Sequence, residues 1–302
     1  MSPGSGVGTY TLKVTTDDQV SLHVEVSGGG PDVLFLHEFS GDYRSWEQQV
    51  RALSRRYRCV SYSARGFPGS DVPMALESYS QARAVQDAVQ VLDAVGSDSA
   101  HAVGLSMGGF TVLNLVLDHP ERFRSAVVAS CGYGADTDPD TFRTEMKALA
   151  DLFLKEGSAH VAALTAKSPY RLAFRETDPR GFADWHEALA QHDPVGASNT
   201  LVGIQSRRPT LLQLAGRMGG LRVPTLFVAG DEDDPCLEAN LVAKRSSPLA
   251  ALAILPRTAH TVNLEATMAF NSLLLDYFAQ VDAGRYSPRL TESIAPEGGW
   301  VR

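Results

Sequence analysis

A chain of 302 residues, 44% of them hydrophobic and 21% charged, has material for one large α/β domain or a core with an insertion, and is not a disordered chain. Its 27 Lys plus Arg against 35 Asp plus Glu give a formal net charge of −8, which disfavours binding to a phosphate backbone. No stretch approaches the ~18 consecutive apolar residues of a membrane helix, so neither nucleic acid nor a membrane is an expected partner.

Two β-rich stretches open the chain, 10–15 and 20–27, the second alternating through Leu22, Val24 and Val26, with Asp17 and Asp18 at the turn between them. After Gly28-Gly29-Gly30-Pro31, the run Val33-Leu34-Phe35-Leu36 has the apolar continuity of a strand buried on both faces, as in a parallel sheet. A glycine run ahead of a strand reads as a loop and not as a phosphate cradle. The spacing then predicts helix over 43–53, strand over 58–61 and helix over 78–95, with Val85, Val89, Leu92 and Val95 on one face. Strand 100–105, helix 107–119 and strand 123–129 continue the alternation, which argues for a doubly wound, mostly parallel sheet.

From 135 to about 220 the alternation stops, and the sequence reads as short helices broken at Pro169, Pro179, Pro194 and Pro209. It resumes with strand 224–229, helix 236–246, strand 251–255 and a closing helix 262–278, to whose inward stripe Leu273 and Tyr277 contribute. The expected organisation is a core of residues 1–134 and 220–284, an inserted helical cap of 135–219, and a loosely ordered tail of 285–302 that has prolines but no periodicity. The cap span holds 11 acidic and 10 basic residues, a balance that offers no broad field to steer a charged ligand. Residues 1–9 carry neither a basic n-region nor an apolar h-region, so no secretory signal is read there and a cytoplasmic location is expected. Cys59, Cys131 and Cys236 are too few and too widely spaced for a disulfide framework or a zinc clamp, which fits free thiols in a reducing compartment.

The strongest local signal is Gly104-Leu105-Ser106-Met107-Gly108-Gly109, a Gly-x-Ser-x-Gly pattern between a predicted strand and a predicted helix. A nucleophile on so sharp a turn needs small neighbours, and it sits at a helix N-terminus that favours developing negative charge. A serine hydroxyl needs a base, and the base needs an orienting carboxylate. Both follow predicted strands, where crevices of open α/β sheets form: Gly230-Asp231-Glu232-Asp233-Asp234 after one, Ala259-His260-Thr261 after another. Asp231, Asp233 and Asp234 all crowd the acidic loop, and one of them suffices. The order Ser, Asp, His is that of the α/β hydrolases and not of the two common protease orders.

On these motifs the chain resembles the α/β-hydrolase superfamily over roughly residues 20–278. The Gly-Leu-Ser-Met-Gly-Gly elbow and Ala-His-Thr-Val-Asn-Leu-Glu resemble its capped, cofactor-free esterase and enol-lactonase branch. The resemblance implies Ser106 as nucleophile, His260 as base and Asp233 as acid, with the backbone N–H groups of Phe39 and Met107 as oxyanion hole. It implies a serine hydrolase that cleaves a carboxylic ester or lactone of a small molecule through an acyl-enzyme, without a cofactor, and it admits a homo-oligomer. Two departures stand out. His37-Glu38-Phe39 replaces the usual His-Gly-x, and Glu38 is expected to point away and anchor its loop. The sharper alternative makes Glu38 a general acid/base or a selector for a cationic or hydroxylated substrate. Ser63 stands where the family usually has Asp, which puts a bracing contact in doubt.

His37, Glu38, Trp185 and His186 are the pocket candidates, and Arg143, Arg171 and Arg175 are options for clamping a carboxylate. His160, His186 and His192 lack metal-ligand spacing, so no metal is assigned. The same three catalytic candidates would serve a C–C bond hydrolase or a perhydrolase, and a small-ligand receptor that retains them is the non-enzyme alternative. Serine at 106 argues against the aspartate-nucleophile dehalogenases and epoxide hydrolases of this fold.

Overall fold

The structure, a computed structural model, describes residues 8–132 and 138–290. Residues 1–7, the expected start of the cap near 135 and the tail beyond 290 lie outside the described residues. The strands are β1 (Thr9–Thr15), β2 (Ser21–Gly28), β3 (Asp32–Leu36), β4 (Arg58–Tyr62), β5 (Ala100–Leu105), β6 (Phe123–Ala129), β7 (Thr225–Gly230) and β8 (Ala250–Leu255). They form one sheet in the order β1-β2-β4-β3-β5-β6-β7-β8. The β1–β2 and β2–β4 pairs are antiparallel, and every later neighbour is parallel.

The helices are α1 (Glu47–Leu53), α2 (Gln81–Ala94), α3 (Met107–Asp118), α4 (Pro139–Glu156), α5 (Ser158–Thr165), α6 (Leu172–Thr177), α7 (Pro179–Ala190), α8 (Pro194–Gly203), α9 (Leu211–Met218), α10 (Asp234–Arg245), α11 (Val262–Glu265) and α12 (Thr267–Asp282). Successive strand residues point to opposite faces, so each central strand feeds two cores. Leu34, Ala102 and Val128 pack with Val89 of α2, Phe110 of α3 and Ala239 of α10. Phe35, Val103 and Val127 pack with Leu53 of α1 and Phe270, Leu274 and Phe278 of α12. This alternation is why the central strands read as unbroken apolar runs.

A third cluster, including Phe153, Phe174, Trp185, Leu189 and Leu201, belongs to α4–α8 alone, the inserted helical layer. Leu211, Leu214 and Met218 of α9 instead join the sheet's own core. Pro179 and Pro194 open α7 and α8, where the missing N–H costs nothing, and Asp178 and Asp193 cap them through Gly181 N (2.9 Å) and Val195 N (2.8 Å). The expected closing helix is divided at Ala266 (φ −119°, ψ 43°), where Glu265 turns its carboxylate back onto the preceding loop. Several long-range polar contacts link elements of the core, among them those of buried Gln49, His101 and Arg65. Asp282, at the end of α12, accepts from Arg124 (2.6 Å) and lies 3.2 Å from Nε2 of buried His101 in β5. Near Ser63, whose N–H donates to His23 O (3.0 Å), Arg65 is buried between Asp87 (2.8 Å, two bonds) and Asp18 (2.7 and 3.0 Å).

Between β5 and α3 the chain reverses at Ser106, a non-glycine residue at φ 52°, ψ −109°. Its N–H is held by Ala129 O (2.8 Å) on the neighbouring strand. A Cβ on Gly108 would overlap the Leu36 carbonyl of β3. Gly108→Ala is therefore expected to destabilise by about 3 kcal/mol or more, since the obstruction is backbone. Gly216→Ala, in α9 with open space around it, is expected to stabilise by roughly 0.5–1 kcal/mol. Arg65→Met should cost about 1–3 kcal/mol by removing two of the bonds to buried Asp87 and leaving it only Arg83 (3.1 Å) as counter-charge. Urea unfolding midpoints of the three variants check all three expectations.

Candidate active site

The loops that leave β3, β5, β7 and β8 meet at one edge of the sheet, under the helical layer. They share a cavity of about 510 Å³ whose wall includes Glu38, Phe39, Ser106, Asp233 and His260. Phe142, Met146, Leu149, Phe153, Leu189 and Leu201 from the helical layer make the opposite wall apolar, as befits a small-molecule pocket.

The acidic loop can approach the histidine loop because Gly230 has no side chain; a Cβ there would overlap the Thr258 carbonyl. Of the three candidate acids, Asp233 is the one that reaches His260: its Oδ2 lies 2.8 Å from Nδ1. Asp231 accepts from Thr258 N (3.2 Å), and Asp234 begins α10. Burial disfavours the charged form of both partners, but their mutual attraction prevails. It holds Asp233 below the ordinary carboxylate range and raises His260 above the ordinary 6.5. Glu265 fixes the peptide on either side of His260, accepting from Ala259 N and Thr261 N (both 2.8 Å) and from Thr261 Oγ1 (2.6 Å). The Cys236 Sγ stands 4.0 Å from Nδ1, and the Asp233, Cys236 and His260 donor atoms lie within 4.8 Å of one another.

His37 is not a wall residue of this cavity. Its Nε2 accepts from Ala64 N (3.0 Å), which leaves the proton on Nδ1 to donate to Glu38 O (2.7 Å). Gly41 N donates to the same carbonyl (3.2 Å). In a trans peptide the C=O and the following N–H point in opposite directions, so this bond fixes the direction of the Phe39 N–H. Among the described residues neither the Phe39 nor the Met107 N–H donates a hydrogen bond.

Glu38 does not turn away from the site. It is a buried wall residue, 2% exposed, and its Oε2 accepts from Arg171 Nη2 (3.2 Å). Arg171, at the end of a 3₁₀ turn over Pro169–Arg171, also donates to Ser40 Oγ (3.0 Å) and Thr261 Oγ1 (3.0 Å). Its guanidinium lies 4.5 Å over the ring of Trp185, whose Nε1 donates to Ser40 Oγ (3.3 Å). Burial works against ionisation of Glu38, yet Arg171, His260 and Ser40 together bring it below the ordinary carboxylate value. The second oxygen, Oε1, is buried with no partner among the described residues.

Trp185 reaches the site only through Ser40 and Arg171, and His186 is half-buried on α7, away from the cavity wall. Arg171 is the cavity arginine among the three options; Arg143 pairs with Asp140 at the surface (2.8 Å) and Arg175 is exposed. Sequence reasoning did not single out Ser40, Thr261 or Glu265, nor Gln205 and Arg208, which line the cavity. Only Glu265 left a local trace, four residues after Thr261 at the start of a helical turn.

A family model of the alpha/beta hydrolase fold matches residues 31–266. A 3-oxoadipate enol-lactonase of Acinetobacter baylyi is 27% identical over 74% of this chain and 80% of its own length. A 2-hydroxy-6-oxo-6-phenylhexa-2,4-dienoate hydrolase of Burkholderia cepacia is 28% identical over 85% and 91%. Among solved structures, the enol-lactonase from Burkholderia xenovorans LB400 superposes with a TM-score of 0.78 at 21% identity, covering 89% of this chain and all of that one, a likeness of fold. With the sheet order and the position of the serine turn, these matches assign the protein: the chain belongs to the α/β-hydrolase fold family, as a hydrolase of that fold.

Proposed function

We propose that the chain is a serine hydrolase that cleaves a carboxylic ester or lactone of a small molecule through an acyl-enzyme. The observation that carries this reading is the 2.8 Å His260–Asp233 contact on a cavity wall shared with Ser106, itself held at a strained φ of 52°. His260 Nε2 takes the Ser106 proton as Oγ attacks the carbonyl carbon, and Asp233 holds the imidazole with its other proton on Nδ1. The unpaired N–H groups of Phe39 and Met107 receive the oxyanion, each donor being worth about 3–4 kcal/mol to the transition state. The C–O bond then breaks, the leaving oxygen takes the proton from His260, and water repeats the sequence to release the acid and restore Ser106. The apolar wall supports an acyl or alcohol group with substantial hydrocarbon character, and the 3-oxoadipate enol-lactonase among the relatives supports the lactone arm.

Intact-mass labelling with a fluorophosphonate tests the nucleophile. One adduct per chain is expected on Ser106, absent in Ser106→Ala and slower by on the order of 10³-fold in His260→Ala. Labelling that persists in Ser106→Ala would remove the serine from its role. A screen of paired lactones and linear esters then separates substrates.

The charges set the pH dependence. His260 must be neutral to accept the proton, so labelling is expected to rise with pH through a midpoint above 6.5. The stability contributed by this histidine has the opposite slope. Its folded value is raised, so that contribution is complete below the unfolded value and is lost as pH rises through the folded one. The contribution of Asp233, whose folded value is lowered, is lost at the acid end as pH falls through that value. Thermal unfolding of wild type and His260→Gln across pH 5–9 checks the sign: the difference in Tm should shrink as labelling accelerates.

A further inference from the structure

We propose that Arg171, carried by the helical layer, is a positioning residue for the reaction at Ser106: seated on Glu38, Ser40 and Thr261, its guanidinium fixes the Phe39 loop against the His260 loop and cancels a carboxylate that would otherwise oppose charge on the oxyanion. The inference rests on the serine-hydrolase reading above.

The geometry is specific. Glu38 and Ser40 flank Phe39, and Thr261 follows His260. One side chain therefore bonds to both neighbours of an oxyanion donor (3.2 and 3.0 Å) and to the neighbour of the base (3.0 Å). The planar fork of arginine can reach several acceptors at once in fixed directions, which a lysine cannot reproduce. Thr261 Oγ1 is already committed as a donor to Glu265, so it has only a lone pair to offer Arg171, and the direction of that bond is set. Trp185 lies against the guanidinium and bonds Ser40, holding the fork in register.

Charge adds a second constraint at the same place. Where the resemblance implies a glycine, this chain places a buried carboxylate on the wall of the cavity. Unpaired, it would repel negative charge on the carbonyl oxygen and hold the proton on His260, both of which retard the attack. Arg171, 6% exposed, supplies the opposite charge within the same buried volume. The groups that face His260 are Asp233 from the loop after β7, Cys236 from α10, Glu38 from the loop after β3 and Arg171 from the helical layer. Because Arg171 belongs to that layer and its three partners to the sheet's loops, the site is complete only while the layer is seated. A substrate that enters by displacing the helices would reassemble the machinery as they return.

The test follows the fluorophosphonate rate against pH in wild type, Arg171→Met, Arg171→Lys, Glu38→Gln and the double variant Glu38→Gln/Arg171→Met. The His260 titration is followed by NMR in the same proteins, and an unfolding midpoint confirms that each is folded. Arg171→Met should label at least 30-fold more slowly, with its pH midpoint raised because Glu38 is left uncompensated. The double variant should recover at least tenfold of that loss and return the midpoint towards wild type. Arg171→Lys should be slowed while keeping the wild-type midpoint, and Glu38→Gln should lower it. A wild-type rate in Arg171→Met would overturn the proposal. So would equal slowing of the single and double Met variants at an unchanged midpoint, since that outcome assigns the contact to scaffolding alone. Should wild type take no label, the nucleophile reading falls, and the NMR titration decides separately: an unmoved His260 midpoint in both Arg171→Met and Glu38→Gln overturns the electrostatic role.

Discussion

The site depends on how closely α3 comes to β3. At Gly108 the helix backbone lies directly on the last carbonyl of that strand, a spacing that leaves no room for a methyl group. Two segments far apart in sequence thereby start from a single point: the helix that follows Ser106 and the loop that carries Phe39. The left-handed turn at Ser106 is the other half of the constraint, because only a chain that reverses so sharply delivers the helix N-terminus onto the neighbouring strand. Orientation at the site is thus settled by backbone packing before any side-chain contact is considered, which is the kind of rigidity that preorganised donors need.

Upon that frame the charges alternate. Asp233, His260, Glu38 and Arg171 form a buried sequence of acid, base, acid and base, each satisfied by a neighbour of opposite sign. Such arrangements carry a high desolvation cost and confer little net stability, so their value lies in what they specify. Here they specify a histidine whose affinity for a proton is pulled downward by burial and by a guanidinium, and upward by two carboxylates that prevail. The departure at Glu38 is intelligible in those terms. It places a buried carboxylate on the cavity wall, and the molecule answers with an arginine from a separate layer.

The sequence made the frame legible because its signals are local. Alternation through Leu22, Val24 and Val26, the apolar run before His37 and the glycines around Ser106 each depend on residues a few positions apart, and the strands fall within a residue or two of where those patterns end. The order of the three candidate residues along the chain was also readable, although three acids competed and only the distance to His260 separates them. What could not be read is non-local. Arg171 meets Glu38 and Ser40 across more than 130 residues, and nothing in its immediate neighbours distinguishes it from Arg175. Amphipathicity alone likewise does not say that α9, within the inserted span, joins the sheet's core, because its inward stripe would serve either layer. The break at Ala266 escapes periodicity for a related reason: Glu265 leaves the helical pattern to hold a loop.

The ion contact between Asp282 and the β5–β6 pair bears on the order in which the chain acquires its structure. His101 lies in the strand that leads into the serine turn, is buried, and finds its Nε2 partner 181 residues later, on the last turn of the last helix. During synthesis from the N-terminus, the earlier strands emerge long before that partner exists. The strand that leads into Ser106 can pair with its neighbours, but its buried polar atom and the apolar face awaiting Phe278 stay exposed until the ribosome has released α12. The strand that leads into Ser106 therefore completes its packing only once α12 is present.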